Sequence, residues 1–366
     1  MLWEHEVVSS NLTVPTTQKM HFKNVALDAY AYALPEDVWS SERVENALAP
    51  LYERLKLPQG RLEMMTGIHE RRHWSSDFLP SDAAILAGKT LLRKSDFPKT
   101  DIDILISASV CRNRLEPATA AYVHNGLNLS EHTAFFDLSN ACLGVLNAIV
   151  IGASMIEAET ARSVLIVSGE NGRPLLEHTV KILNNDRTLT RQTIKPYFAN
   201  LTIGSGAVAL LLRRREDVHK PRPLLLGGIA CSDASAYKLC EGGTTDEGAL
   251  SMRTDASTLL EAGVKLSQTA WEAFKKEMSW NEQTPGHILT HQVGLQHQRK
   301  LFEALNLDIK KNFSTFETLG NTGSVALPIS LCKAAEEERF QSGDKILLLG
   351  IGSGLSTIML GMVWQG

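Results

Sequence analysis

The chain has no CxxC pair, and its five cysteines are irregularly spaced over 366 residues. That pattern excludes a disulfide framework and a thiolate zinc site, and reads as a reduced, cytoplasmic protein. No apolar run approaches the roughly 18 residues that would suggest a membrane span. The first residues, Met1-Leu2-Trp3-Glu4-His5-Glu6, lack the basic start and apolar stretch of a signal peptide. Short-period repeats and low-complexity tracts are absent. A net charge of −4 gives no global reason to expect a nucleic-acid partner. What is present is ordinary for a soluble enzyme: 43% hydrophobic and 21% charged residues, in a chain long enough for one or two domains.

Short apolar runs alternate with longer helical patterns, the signature of an α/β fold. Strands are expected at 103–109, 133–138, 163–169, 206–212, 223–231, 287–290, 345–351 and 356–363. Helices are expected at 41–56, 81–93, 117–126, 143–157, 255–277, 295–305 and 323–337, with Asp255 as a cap. Residues 1–19 show no periodicity, and the first convincing strand follows Met20. The expectation is a leader over 1–19, either disordered or a miscalled extension with Met20 as the true start. A polar, proline-bearing link near 215–222 divides the rest into halves at 20–215 and 223–366 with similar element order. Residues 171–203 interrupt the first half and could form a helical cap over a pocket.

The most informative residue is Cys142. The stretch Phe135-Phe136-Asp137-Leu138-Ser139-Asn140-Ala141-Cys142-Leu143-Gly144 reads as a strand turning sharply into a helix. A thiol at the first turn of a helix meets unpaired N–H groups and the positive end of the helix dipole, which stabilise thiolate. Cys142 is therefore either a nucleophile or a buried structural cysteine, the common fate of free thiols.

Three later features converge on it. His291 ends the strand-like Ile288-Leu289-Thr290, where a parallel sheet exposes catalytic groups. Asn321 lies in the glycine-bracketed turn Leu319-Gly320-Asn321-Thr322-Gly323-Ser324. Gly350-Ile351-Gly352-Ser353-Gly354 follows another strand, and its small residues let backbone N–H groups approach a ligand. Taken singly, His291 reads as a packing residue, Asn321 as a turn residue and the glycine loop as a common sequence. Taken together they make an acyl-transfer site. His287 and His291 have the i,i+4 spacing of a helical metal pair, but on a strand that spacing spans about 13 Å, so no metal is expected.

With these residues in place the chain resembles the Cys-His-Asn enzymes of the thiolase superfamily. Thr66-Gly67-Ile68-His69-Glu70-Arg71-Arg72 is similar to the early TGIxxRR signature of ketoacyl-ACP synthase III. The resemblance covers about residues 21–366. It implies a five-layer αβαβα thiolase fold of two similar halves, a homodimer, and Cys142 at the end of an acyl channel. Cys332 falls in a helical pattern and the terminal loop carries Ser353, unlike degradative thiolases with their second catalytic cysteine. Asn321 stands where elongating synthases carry a second histidine.

Glu116, in Arg112-Asn113-Arg114-Leu115-Glu116-Pro117, falls where synthase III enzymes usually carry an apolar residue, on a segment that reaches the partner's acyl pocket. Without the resemblance it is an ordinary loop acid. With it, the chain looks like the enzymes that join two fatty acyl-CoAs head to head in bacterial long-chain olefin synthesis (OleA type). Lys238-Leu239-Cys240-Glu241-Gly242 and Gly352-Ser353-Gly354-Leu355 fit the same pattern.

The resemblance implies a non-decarboxylative Claisen condensation. A malonyl donor makes its carbanion by losing CO₂, whereas a plain acyl-CoA needs a base for its α-proton. Cys142 would be the nucleophile, Glu116 the base, and His291 and Asn321 the holders of the enolate oxygen. The N–H groups of Cys142 and Ser353 would form the oxyanion hole. Arg71, Arg72, Gly352 and Gly354 are candidates for substrate binding, with acyl-CoA or an acyl-carrier protein as partner and no cofactor. The alternative is a decarboxylative 3-oxoacyl-ACP synthase III using malonyl-ACP or malonyl-CoA. A non-catalytic subunit of a condensing complex is a third reading, but such a subunit would typically lose the thiol or its imidazole.

Overall fold

The computed structural model describes residues 17–246 and 248–366. Its strands are β1 (Gln18–His21), β2 (Val25–Ala33), β3 (Asp37–Ser40), β4 (Glu70–His73), β5 (Ile104–Ser107), β6 (Ala134–Asp137) and β7 (Ser163–Glu170). They continue with β8 (Gly206–Arg214), β9 (Leu224–Ser232), β10 (Cys240–Thr244), β11 (Leu250–Thr254), β12 (His287–Thr290), β13 (Lys345–Gly352) and β14 (Ser356–Val363). The helices are α1 (Ser41–Ala47), α2 (Ala49–Leu55), α3 (Arg61–Thr66), α4 (Pro80–Lys94), α5 (Thr119–Leu127) and α6 (Gly144–Glu157). Then come α7 (Arg173–Asn185), α8 (Ala256–Met278), α9 (Leu295–Ala304), α10 (Phe316–Leu319) and α11 (Ala326–Glu336).

The main sheet runs β12-β13-β14-β9-β2-β8-β7-β5-β6, with β1 paired to β9. β5 is parallel to both β6 and β7, and β12 is parallel to β13. β2 meets β9 through a single register pair, Ala26 with Leu224. The sheet is therefore almost cut in two at that point.

Side-chain alternation explains the packing. Along β7, Val164 and Ile166 face one core while Leu165 and Val167 face another. All eight residues of β7 are buried, which requires cover on both faces. On one side α4 and α5 supply Ala83, Ala84, Ala87, Leu91, Val123 and Leu127. On the other, α6 and α11 lie in the central core, between residues of β5, β7 and β8 and residues of β12, β13 and β14. The far face of that second group, including Leu347 and Leu349, packs on Leu266, Trp271 and Phe274 of α8 and Leu301 of α9. Each such aliphatic side chain, fully buried, contributes about 1.5–3 kcal/mol.

Every expected strand is present within two residues at either end, apart from the first. The strand expected over 21–27 is split between the end of β1 and the start of β2, and Gln18 and Lys19, assigned to a leader, pair with Ala230 and Ile229, with Lys19 ion-paired to Glu277. The remainder of the leader, residues 1–16, lies outside the described residues. The span 171–203 is helical, comprising α7 and a 3-10 stretch at Lys195–Thr202. It packs with α1 and α2 around Leu48, Leu51, Leu176, Leu183 and Leu201. Asp255 caps α8 by accepting from the Thr258 N–H at 3.2 Å. The β3–β4 pair, the β10–β11 hairpin, α3 and α10 had no periodic signal long enough to be read.

Candidate active site

Between β6 and α6 the chain reverses within a few residues. Ala141 has a left-handed φ of 45°, a conformation L-residues seldom adopt. The turn closes through Leu143 N–H to Asn140 O at 2.9 Å and Gly144 N–H to Ala141 O at 3.2 Å. Cys142 sits on this elbow, half-buried, two residues ahead of the helix instead of within its first turn.

The thiolate expected from the helix dipole is not the resting species. Burial pushes the Cys142 thiol up to about 12, and the nearby Cys240 thiol and Glu170 carboxylate push the same way. Only the hydrogen bond from its own backbone amide opposes them. Desolvation outweighs the dipole, so Cys142 rests as a thiol.

The glycine loop is the tight turn between β13 and β14, and it presses on the elbow. A Cβ on Gly352 would stand 3.0 Å from Leu143 Cγ and 3.5 Å from the Leu143 N. One on Gly350 would stand 2.3 Å from Leu146 Cδ1 and 2.6 Å from Leu143 Cδ2. Only glycines let the hairpin come this close. Ser353 is half-buried at the turn, and Gly354 is exposed at its tip with φ 131°.

His291 follows β12 directly. Its N–H donates to Leu349 O at 3.1 Å, tying it to the strand that carries the glycine loop. The ring is buried, and Nδ1 has no hydrogen-bond partner among the described residues. Burial, assisted by nearby His297, lowers its pKa to about 3, so the imidazole is neutral at rest. Gln292 anchors the loop by accepting from the Thr315 and Phe316 N–H groups at 2.9 and 3.3 Å.

Asn321 is held by its backbone on both sides. Its N–H donates to Thr202 O and its carbonyl accepts from Gly204 N–H, each at 2.9 Å. Its Oδ1 accepts from Gly323 N–H at 3.0 Å, which leaves Nδ2 as a donor with no partner among the described residues. Gly320 before it needs φ 64°, and a Cβ there would lie 2.5 Å from Thr202 O. The Asn321 turn reaches the elbow through Ser324, whose Cβ is 3.6 Å from where a Cβ on Gly144 would stand.

The structure thus sets the Ser353 loop and the Asn321 turn against the elbow of Cys142, and ties the His291 loop to β13, the strand that leads into Ser353. Glu116 is placed differently. It lies on an exposed loop and has no polar partner among the described residues, and its neighbour Leu115 is 93% exposed.

The reading of Arg71 as a substrate-binding residue is corrected. Arg71 is fully buried in the β3–β4 pair, donating to Trp39 O and Ser41 Oγ at 3.3 and 3.1 Å. Burial lowers its pKa to about 10. Arg72 is half-buried and donates to Pro35 O at 3.1 Å. Gly352 is buried against Leu143, which makes it a packing element of the elbow.

Sequence reasoning missed Glu170, at the end of β7. It is buried, and it accepts hydrogen bonds from the Val110 N–H, the Cys111 N–H and the Ser324 hydroxyl. An acid after Val-Leu-Ile-Val-Ser-Gly reads as a solvated strand end; the one available signal was its continuity with an all-apolar strand. An open recess of about 550 Å³ lies between α3, α9 and α10, lined by Met64, Gly67, His69, Leu295 and Phe316, and it contains none of the gathered residues. Among the described residues there is no cluster suited to a metal ion, and no helix is long and apolar enough to cross a membrane.

Two family models match the chain: 3-oxoacyl-[acyl-carrier-protein] synthase III over residues 136–222 and its C-terminal model over residues 276–364. An acyl-CoA:acyl-CoA alkyltransferase of Shewanella oneidensis is 36% identical over 94% of this chain and 100% of the relative. One from Xanthomonas campestris is 34% identical over the same shares. Among solved structures, Xanthomonas campestris OleA with bound lauric acid and lauroyl-CoA superposes with a TM-score of 0.89 at 34% identity, covering 94% of this chain and 100% of the other. Further structures of that OleA carry substitutions at one cysteine, one glutamate and one histidine.

Proposed function

The chain belongs to the acyl-CoA:acyl-CoA alkyltransferases, a branch of the synthase III-like condensing enzymes, and we propose that it joins two fatty acyl-CoAs by a non-decarboxylative Claisen condensation through a Cys142 acyl-enzyme. The observation that carries this reading is the elbow and its neighbours: a shielded thiol, an amide donor with no partner among the described residues, and a neutral imidazole tied to the strand that leads into Ser353.

As Cys142 Sγ attacks the first thioester, its proton is delivered to the departing CoA sulfur. The oxyanion sits in the N–H groups of Cys142 and Ser353, each such donor being worth about 3 kcal/mol. CoA leaves as the free thiol, carrying the Cys142 proton. Glu116 of the partner subunit then removes an α-proton from the second acyl-CoA. The enolate oxygen lies against His291 and Asn321 Nδ2. Its α-carbon attacks the acyl-enzyme, the C–S bond breaks, and the Glu116 proton returns to the Cys142 sulfur. The product is a 2-alkyl-3-ketoacyl-CoA.

Donor choice separates this from the decarboxylative synthase III reaction. The two synthase III models cover residues 136–222 and 276–364, which hold Cys142, His291 and Asn321 but not Glu116. Glu116, exposed on its own chain and offered on a loop, is the group a plain acyl-CoA donor requires.

The same proposal includes a homodimer, because an exposed Glu116 needs a second copy's site to act in. It includes a thiolase fold of five layers in two similar halves, supported by α6 and α11 between two groups of strands with α4–α5 and α8–α9 outside. Cytoplasmic residence is also part of it, supported by five cysteines that are all free. The test is to supply two acyl-CoAs of different chain length together. Crossed products carrying both chains, unaffected by malonyl-CoA, are expected; products only when malonyl-CoA is present would move the assignment to synthase III.

A further inference from the structure

Glu170 has 3% of its surface exposed, and donors surround both carboxylate oxygens. Oε2 accepts from the Cys111 N–H at 3.0 Å. Oε1 accepts from the Val110 N–H at 2.8 Å, from the Ser324 N–H at 3.4 Å and from the Ser324 hydroxyl. A Cβ on Gly323 would lie 3.4 Å from its carboxyl carbon. These donors come from two places with different duties. Ser324 and Gly323 belong to the turn that carries Asn321. Val110 and Cys111 are the root of the loop that carries Glu116.

That loop is fixed at several points. Beyond the Glu170 root, Asn113 Nδ2 donates to Ser81 Oγ at 2.7 Å and Asn113 Oδ1 accepts from the Ser81 N–H at 3.0 Å. At its far end Asp137 caps α5, accepting from the Thr119 and Ala120 N–H groups, each at 2.7 Å. Arg114, Leu115, Glu116 and Pro117 are left as an exposed tip on an anchored base.

We propose that Glu170 is a positioning residue serving two active sites at once: it seats the Asn321 turn in its own site and sets the root of the loop that delivers Glu116 to the partner's. This rests on the reading of Glu116 as a base acting across the dimer. A carboxylate suits the place because it offers acceptors on both oxygens and no donor. An amide would turn its N–H₂ toward the backbone N–H groups of Val110, Cys111 or Ser324, leaving at least one of these donors without its acceptor.

The test uses heterodimers purified through two different tags. In a dimer of wild type with Cys142→Ala, the one working thiol takes its base from the variant protomer. Adding Glu170→Gln to that same Cys142→Ala protomer should lower condensation by about fivefold or more, as expected for a base misplaced by a fraction of an ångström. The burst of CoA release at the wild-type thiol should be unchanged, which a merely structural defect would not allow. If condensation equals that of the Cys142→Ala heterodimer, the inference is overturned.

A control protomer with Cys142→Ala and Glu116→Gln should abolish condensation. If it does not, the trans reading of Glu116 fails, independently of Glu170. Should Glu170→Gln not assemble, Cys142→Ala with Ser324→Ala removes the hydroxyl partner and leaves the carboxylate in place. A drop of about twofold or more in condensation supports the inference, and no drop overturns it.

Discussion

Gly352 lies so close to Leu143 that a single added Cβ would come within 3.0 Å of its Cγ. The residue after Cys142 and the residue before Ser353 are thus in direct packing contact, although they are 209 positions apart in sequence. The oxyanion hole proposed between Cys142 and Ser353 depends on that approach. Gly350→Ala, whose Cβ would stand 2.3 Å from a buried leucine, should displace the hairpin. Acyl-enzyme formation should fall by about 100-fold while the fold persists. Mass spectrometry of the intact protein after mixing with an acyl-CoA reads the adduct.

Cys142→Ala should abolish both covalent acylation and CoA release. A retained acyl adduct would remove Cys142 from its role.

Because burial holds the Cys142 thiol up to about 12, its alkylation by iodoacetamide should climb steadily from pH 7 to pH 10. The increase should be about tenfold per unit, following the thiolate fraction. A plateau below pH 8 would show a preformed thiolate–imidazolium pair instead.

Two buried imidazoles, His73 and His291, and the half-buried His297 predict the acid limb of stability. Burial lowers His73 and His291 to about 3 and His297 to about 4, all below the unfolded value near 6.5. The unfolded chain therefore binds more protons between these limits, and stability is complete above pH 6.5 and lost as pH falls. Each group accounts for up to about 1.4 kcal/mol per pH unit in that window. Glu170, raised by burial, works in the opposite sense and offsets part of the loss. Thermal melts should show Tm falling from pH 7 to pH 5. A flat profile would contradict the buried neutral imidazoles.

Asn321→Ala should leave acylation within a few-fold and reduce condensation by about 10²–10³-fold, since its Nδ2 is assigned to the enolate and not to the acyl-enzyme. Comparing the CoA burst with product formation separates the two half-reactions.

The main sheet was legible because its strands are short apolar runs bounded by turns, as in Lys345–Gly352, and α6 and α8 because their apolar periodicity is long. The β10–β11 hairpin was not, since Cys240-Glu241-Gly242-Gly243-Thr244 is polar and largely exposed. The candidates Cys142, His291 and Asn321 were picked out from their places at strand and turn ends. Their protonation states were not, because burial depends on neighbours distant in sequence, such as Cys240 and Glu170 for Cys142. Arg71 was misread for the same reason: nothing local marks an arginine in Glu-Arg-Arg-His as buried. Glu170 was invisible because its donors come from residues 110–111 and 324.

The most direct test of the account is incubation of the purified protein with myristoyl-CoA alone, following free CoA and extracting products for mass spectrometry. CoA release accompanied by a 2-alkyl-3-ketoacid, or by the ketone left after it loses CO₂, is the predicted result. With Glu116→Gln the first CoA should still be released but condensation should fall by about 10²–10⁴-fold. No product until malonyl-CoA or malonyl-ACP is added would contradict non-decarboxylative condensation.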